Sequence, residues 1–178
     1  MKIGWEKIGI KDLAALISGK LLEKRIDAIL VGGACVSIYT KNIYRSFDLD
    51  FVTHSTMKEV AAALAEVGFK REKSRYFTRS DCPYFIEFVT PPAAIGNEPI
   101  KDSSKLKTRL GTVALLTATD SVKDRLAAFY HWNDPQALEQ AIMVARAQTI
   151  NQSEVKRWSV KEGHAEKYRE FLKRLQKK

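Results

Sequence analysis

Cysteine and histidine are scarce in this chain. Its 178 residues include two cysteines and three histidines. Cys35 and Cys82 stand far apart, with no C-x-x-C spacing and no histidine cluster beside them. That excludes a disulfide-stapled scaffold and a zinc module, and suits a reducing, cytoplasmic setting. Also missing is any run of about 18 apolar residues, the length a membrane-spanning helix needs, so no membrane partner is expected. The opening stretch, MKIGWEKIGIKDL, scatters charge where a secretory leader would hold an apolar core. Internal repeats and low-complexity tracts are absent as well. What remains is ordinary for a globular protein with a true core: 45% hydrophobic and 29% charged residues. The length fits one domain, or one domain with a helical extension.

Negative charge is in short supply too. Thirty Lys and Arg face 21 Asp and Glu, a net charge of +9. The imbalance is concentrated late in the chain. Residues 1–100 carry 14 basic against 12 acidic side chains, and residues 101–178 carry 16 against 9. Such asymmetry favours an acidic partner, nucleic acid foremost, although a solvated basic surface yields the same numbers. From Ser153 onward nine basic residues face four acidic ones. With Tyr168 and Phe171 turned inward, that outer face either follows an RNA backbone or simply keeps the protein soluble.

Periodicity sets out an α/β half followed by a helical half. Leu13, Leu16, Ile17 and Leu21 give residues 11–24 one apolar helical face. IDAILV (26–31) reads as a buried strand that stops at Gly32-Gly33, with a short helix after it. DLDFV (48–52) is a second strand, and Thr56 with Glu59 forms a capping box for a helix closed by Gly68. YFTRS (76–80) and YFIEFVT (84–90) read as further strands, the latter ended by Pro91-Pro92. Gly96-Asn97, Pro99 and Ser103-Ser104 mark residues 93–112 as a loop. Beyond residue 120 the pattern is helical. Ser121 with Asp124 is the expected cap of one helix, whose final Trp132 is expected to pack. Asp134-Pro135 opens the next, and Asn151 with Glu154 another.

Three features carry chemistry. A strand-to-helix bend through Gly32-Gly33 is either a plain turn or a place where backbone approaches an anion. Asp48 and Asp50, two apart on a strand, share one face with Cα atoms about 6.5–7 Å apart. They form either a solvated pair or ligands to divalent ions of the kind that clamp phosphates. Glu87 is the one charge in an apolar strand, so it must be paired, protonated or bound to a cation. Arg79 or Arg45 would be its partner if it is paired.

Together, Val31-Gly32-Gly33, a fourteen-residue spacer, Asp48-Leu49-Asp50 and a later Glu87 resemble the polymerase-beta-like nucleotidyltransferase superfamily. The spacer is slightly longer than the usual pattern, leaving room for an insertion around residues 41–44. RSFDLD (45–50) is similar to a variant in the small stand-alone branch related to abortive-infection toxins. TDSVKDRLAAFYHWNDPQALEQA (119–141) resembles the helical segment that follows the core there. The resemblance implies a mixed β-sheet core flanked by helices over residues 1–118 and a helical region over 119–178. It implies that Asp48, Asp50 and Glu87 hold two Mg²⁺ ions, with Glu87 also serving as base. It places a triphosphate against Gly32 and Gly33, with Ser37, Arg45, Ser46 and Lys123 toward the nucleotide. For Ser37 a backbone bond, and for Lys123 an exposed helix position, are the other readings. The implied reaction moves NMP from an NTP such as ATP onto a hydroxyl of RNA, tRNA foremost, or of protein. A role in a toxin–antitoxin pair, with a cognate antitoxin protein, comes from the same resemblance. A non-catalytic module binding nucleic acid or a partner is the alternative, although such a module has no physical reason to keep three acids. A small-molecule transferase acting on aminoglycosides fits less well, because those cations prefer an acidic cleft.

Overall fold

Ala28-Ile-Leu-Val31 is an unbroken apolar run with β-branched Ile29 and Val31, and in the computed structural model it forms the short strand β1 (Ala28–Val31) inside a sheet. The structure describes residues 3–73, 75–89, 91 and 93–177. Helix α1 (Ile10–Glu23) precedes β1, and α2 (Gly32–Tyr39) starts directly at the first glycine. Next come β2 (Asp48–Thr53) and α3 (Met57–Ala65), the latter opened by the expected Thr56–Glu59 capping box. Strands β3 (Lys70–Arg71), β4 (Tyr76–Thr78) and β5 (Phe85–Val89) follow. Thr90 and Pro92, part of the expected end of β5, lie outside the described residues.

The expected loop over 93–112 is the main correction. It holds a small hairpin, β6 (Ala94–Ile95) with β7 (Glu98–Pro99), then the strand β8 (Ser103–Thr108) paired with β9 (Gly111–Leu116). Strand β8 was hidden because its alternate positions are Ser, Lys and Thr, with Leu106 alone apolar. It lies at a sheet edge, where such residues are tolerated and edge lysines discourage stray pairing. The sheet order is β3-β4-β5-β2-β1-β9-β8, mixed as expected: β2 runs parallel to β5, β1 parallel to β9, and β1 antiparallel to β2.

Strand alternation divides the sheet into two unlike faces. Leu30, Phe51, Phe88 and Leu115 stand in register on one face and are fully buried with helical residues such as Leu13, Ile17 and Leu64. Asp48, Asp50, Glu87, Ile29 and Ala114 occupy the other and stay half-buried.

Helices α4 (Ala118–Trp132), α5 (Pro135–Ala147), α6 (Gln152–Lys161) and α7 (Ala165–Gln176) complete the chain. Helix α4 begins earlier than expected. Thr117 accepts the backbone N–H of Asp120 and caps it, while Ser121 is buried inside the helix. Trp132 is 77% exposed rather than packed. Trp158 is the apolar anchor of this half: fully buried, stacked on Tyr130 at 5.6 Å, and donating its indole N–H to the Ile95 carbonyl. The same hydrophobic cluster continues from the sheet into these helices.

Candidate active site

The carboxylates meet through strand register. Asp50 stands directly opposite Glu87 on β5, and Asp48 lies two residues earlier on the same face of β2. Cross-strand partners in a sheet sit about 5 Å apart, so three acids share one end of the open face.

Each acid is held differently. The Ser46 hydroxyl donates to the Asp48 carboxylate, and the Ser46 backbone N–H donates to Ser37 Oγ at 2.7 Å. Ser37 and Ser46 are both buried, so they form a chain that positions Asp48 and have little surface to offer a phosphate. Asp50 packs against the bend. A Cβ at Gly32 would lie 2.5 Å from Asp50 Oδ2, and Gly32 adopts φ +68°, which only glycine takes without strain. At Gly33 a Cβ would lie 3.2 Å from Ser46 Oγ. Gly32 is therefore required by the packing of Asp50, and Gly33 gives room to the serine that holds Asp48.

Burial, then the charges of Asp48 and Glu87, push the Asp50 carboxyl up to about 7. The half-buried Arg125 on α4, which donates to Asp124, offsets that rise only in part.

Glu87 has a partner. Arg75 Nε lies 2.9 Å from Glu87 Oε1, on a guanidinium that is 43% exposed. The Tyr76 hydroxyl bonds Glu87 too, which raises the pKa of the phenol. The pairing candidates Arg79 and Arg45 are elsewhere: Arg79 bonds Asp81 and the Val67 carbonyl, and Arg45 is exposed on the loop before β2. Lys123 does not join the site. It is 6% exposed, with Nζ 3.0 Å from Asp120 Oδ1 and 3.1 Å from Glu154 Oε1, so its charge is already neutralised.

The expected cage for two magnesium ions is not assembled in this arrangement. Among the described residues no three His, Cys, Asp or Glu side chains gather as a metal-holding group. Asp48 is tied to Ser46 and Glu87 to Arg75. The donor set nonetheless suits a hard cation, since Asp48, Asp50 and Glu87 are oxygen acids on one face of the sheet, and burial with the charges of its two neighbours raises the Asp50 pKa.

No protein-family model matches the chain, and no curated protein matches it significantly in sequence. Solved structures do match in shape. An antigenic nucleotidyltransferase-like protein from Paracoccidioides brasiliensis superposes with a TM-score of 0.57 at 14% identity, covering 76% of this chain and 74% of that one. The fold is a nucleotidyltransferase fold. The antibiotic-resistance factor ANT(2'')-Ia superposes as well. Its solution structure gives a TM-score of 0.51 at 13% identity over 87% of this chain and 95% of its own. Its crystal structure with adenylyl-2''-tobramycin gives 0.52 at 13% identity over 82% and 92%.

Sequence reasoning missed Arg75, Tyr76 and Arg125. The first two sit in and beside a turn with no periodic pattern, and nothing local links them to Glu87. Arg125 reads as an ordinary polar position on α4. Among the described residues, no helix is long and apolar enough to cross a membrane.

Proposed function

We propose that this protein is a nucleotidyltransferase that moves NMP from an NTP to an acceptor hydroxyl with divalent metal. The observation that carries the reading is the register of Asp50 against Glu87, with Asp48 on the same face and Gly32 closed against Asp50. The antigenic nucleotidyltransferase-like protein, and ANT(2'')-Ia in complex with adenylyl-2''-tobramycin, share this fold and support the class of reaction.

Asp48 and Asp50 would hold the metal, joined by Glu87 once Arg75 releases it. Magnesium bound there supplies positive charge to the phosphates and to the developing alkoxide. The chain's own tasks are then positional. The backbone at Gly32 closes directly on Asp50, and Arg75 beside Glu87 and Arg125, whose charge acts on Asp50, would meet a triphosphate, with Arg45 on the loop before β2 as a further candidate. The acceptor oxygen attacks the α-phosphorus, the bond to the β-phosphate oxygen breaks, and pyrophosphate leaves. Glu87 receives the acceptor's proton. RNA and protein are both acceptors in this reading. The structural neighbours lend no support to the toxin–antitoxin part of the resemblance.

Purified protein given Mg²⁺ and each labelled NTP should label an RNA or protein acceptor, and a chelator should abolish the label. If no NTP yields transfer to any acceptor while RNA still binds, the non-catalytic module is the correct reading. Labelling of an aminoglycoside alone would instead select the small-molecule transferase.

Arg75 makes a second, sharper prediction. Because its guanidinium neutralises Glu87, Arg75→Ala should tighten Mn²⁺ binding about three- to tenfold, measured by electron paramagnetic resonance. Unchanged affinity would remove Glu87 from the ligand set.

A further inference from the structure

The open sheet face carries more than acids. Tyr76 is the register partner of Glu87, and Phe85 is the partner of Asp48, so both rings share the carboxylates' face. The rings lie 6.1 Å apart and are 39% and 36% exposed. On the opposite side of the carboxylates, Ala114 and Thr112 of β9 pair with Lys105 and Lys107 of β8. Leu30, Phe51, Phe88 and Leu115 fill the buried face, so alternation puts Lys105 and Lys107 on the face of Asp50.

Among the described residues, the cations on β8 and at its two ends make no ion pair, unlike many of the C-terminal ones. Between residues 101 and 110, Lys101, Lys105, Lys107 and Arg109 face one acid, Asp102. All four are exposed, and among the described residues none pairs with a carboxylate. By contrast Arg157 and Lys161 bind Glu98, Arg174 binds Glu139, Arg169 binds Glu166, and Lys167 caps the Phe129 and Tyr130 carbonyls. Five of the basic side chains expected on the last helices are thus engaged within the chain, while Lys156 and Lys173 stay exposed. Edge protection explains lysines on β8, but not exposed aromatics in register with the acids.

We propose that this open face binds single-stranded nucleic acid, with backbone phosphates at Lys105 and Lys107 and an unstacked base on Tyr76 and Phe85. Five strand spacings separate β8 from β4, roughly 24 Å. A strand laid across them passes over Asp50 and Glu87, which assigns nucleic acid as the acceptor; that assignment rests on the transferase reading, while the binding does not. Duplexes fit poorly because their paired bases cannot stack on a protein ring. An acidic protein would use the lysines and leave the aromatics idle.

The test is fluorescence anisotropy of a short labelled RNA with the full chain, across a KCl series, with no NTP or metal present. Lys105→Glu combined with Lys107→Glu should weaken binding at least about tenfold and reduce the log–log salt slope by about 1.4. Phe85→Ala should weaken it roughly tenfold with the slope unchanged. Lys173→Glu, on α7, should change affinity less than about twofold, and circular dichroism checks that each variant is folded. Unchanged affinity and slope in the double reversal, or polyglutamate competing as well as RNA, would overturn the proposal. Binding that behaves as stated without label transfer leaves the surface standing and removes the catalytic reading. Transfer that the reversals do not affect does the opposite.

Discussion

Asp50→Asn should give a protein that is more stable than the natural one and transfers nothing. The carboxyl of Asp50 sits near 7, against an ordinary value of 3.8, because burial and the charges of Asp48 and Glu87 oppose ionisation. Between about pH 4 and pH 7 the folded state therefore holds a proton that the unfolded chain has released. Stability falls as pH rises through that window and stays lower above it. Each pH unit is worth about 1.4 kcal/mol, so the full displacement is of the order of 2–4 kcal/mol once partial solvation is allowed for. Asparagine keeps the shape and cannot ionise. Its melting temperature should exceed that of the natural protein at pH 8 by several degrees, and the two should converge at pH 4. Label transfer should drop at least about a thousandfold, since loss of a charge-stabilising group removes several kcal/mol from the transition state. Equal melting at pH 8 would show that Asp50 is not electrostatically strained, and normal transfer would show that it is not part of the chemistry.

The second large effect belongs to Gly32. Any Cβ there meets Asp50 Oδ2 at 2.5 Å, and φ is +68°. Gly32→Ala should cost about 1–2 kcal/mol in backbone strain. It should also push the Asp50 carboxylate off its position, and displacements near 1 Å at a reacting centre cost about a hundredfold in rate. Chemical denaturation and the labelling assay measure the two parts separately. Gly33→Ala provides the graded comparison, because its Cβ would meet Ser46 Oγ at 3.2 Å, and that hydroxyl can shift by tenths of an ångström. Gly32→Ala with unchanged activity would separate the glycine bend from the site.

Much of this was legible along the chain. IDAILV and DLDFV announced strands through their β-branched and aromatic runs, and Thr56 with Glu59 announced a helix start because a capping box is a purely local device. The proposed acids were visible because a lone Glu in an apolar strand, and an alternating Asp pair, are locally improbable without a task. Strand β8 was illegible for a reason specific to edges: Lys105, Lys107 and Thr108 need bury nothing, so no apolar period marks them. Lys123 looked available because its two acid partners lie three and 31 residues away, the second on another helix.

Composition, periodicity and capping by themselves determined the class of this protein, the order of most elements and the identity of the candidate acids, because those depend on neighbours within a few residues. Tertiary structure alone decided which groups share a face. Register aligned Asp50 with Glu87 and put Lys105 and Lys107 on the same face of the sheet, where among the described residues they make no ion pair; packing gave Glu87 to Arg75 and withdrew Lys123 into ion pairs. Pairing partners are chosen by where strands and helices come to rest, and that distance is not written in any one segment.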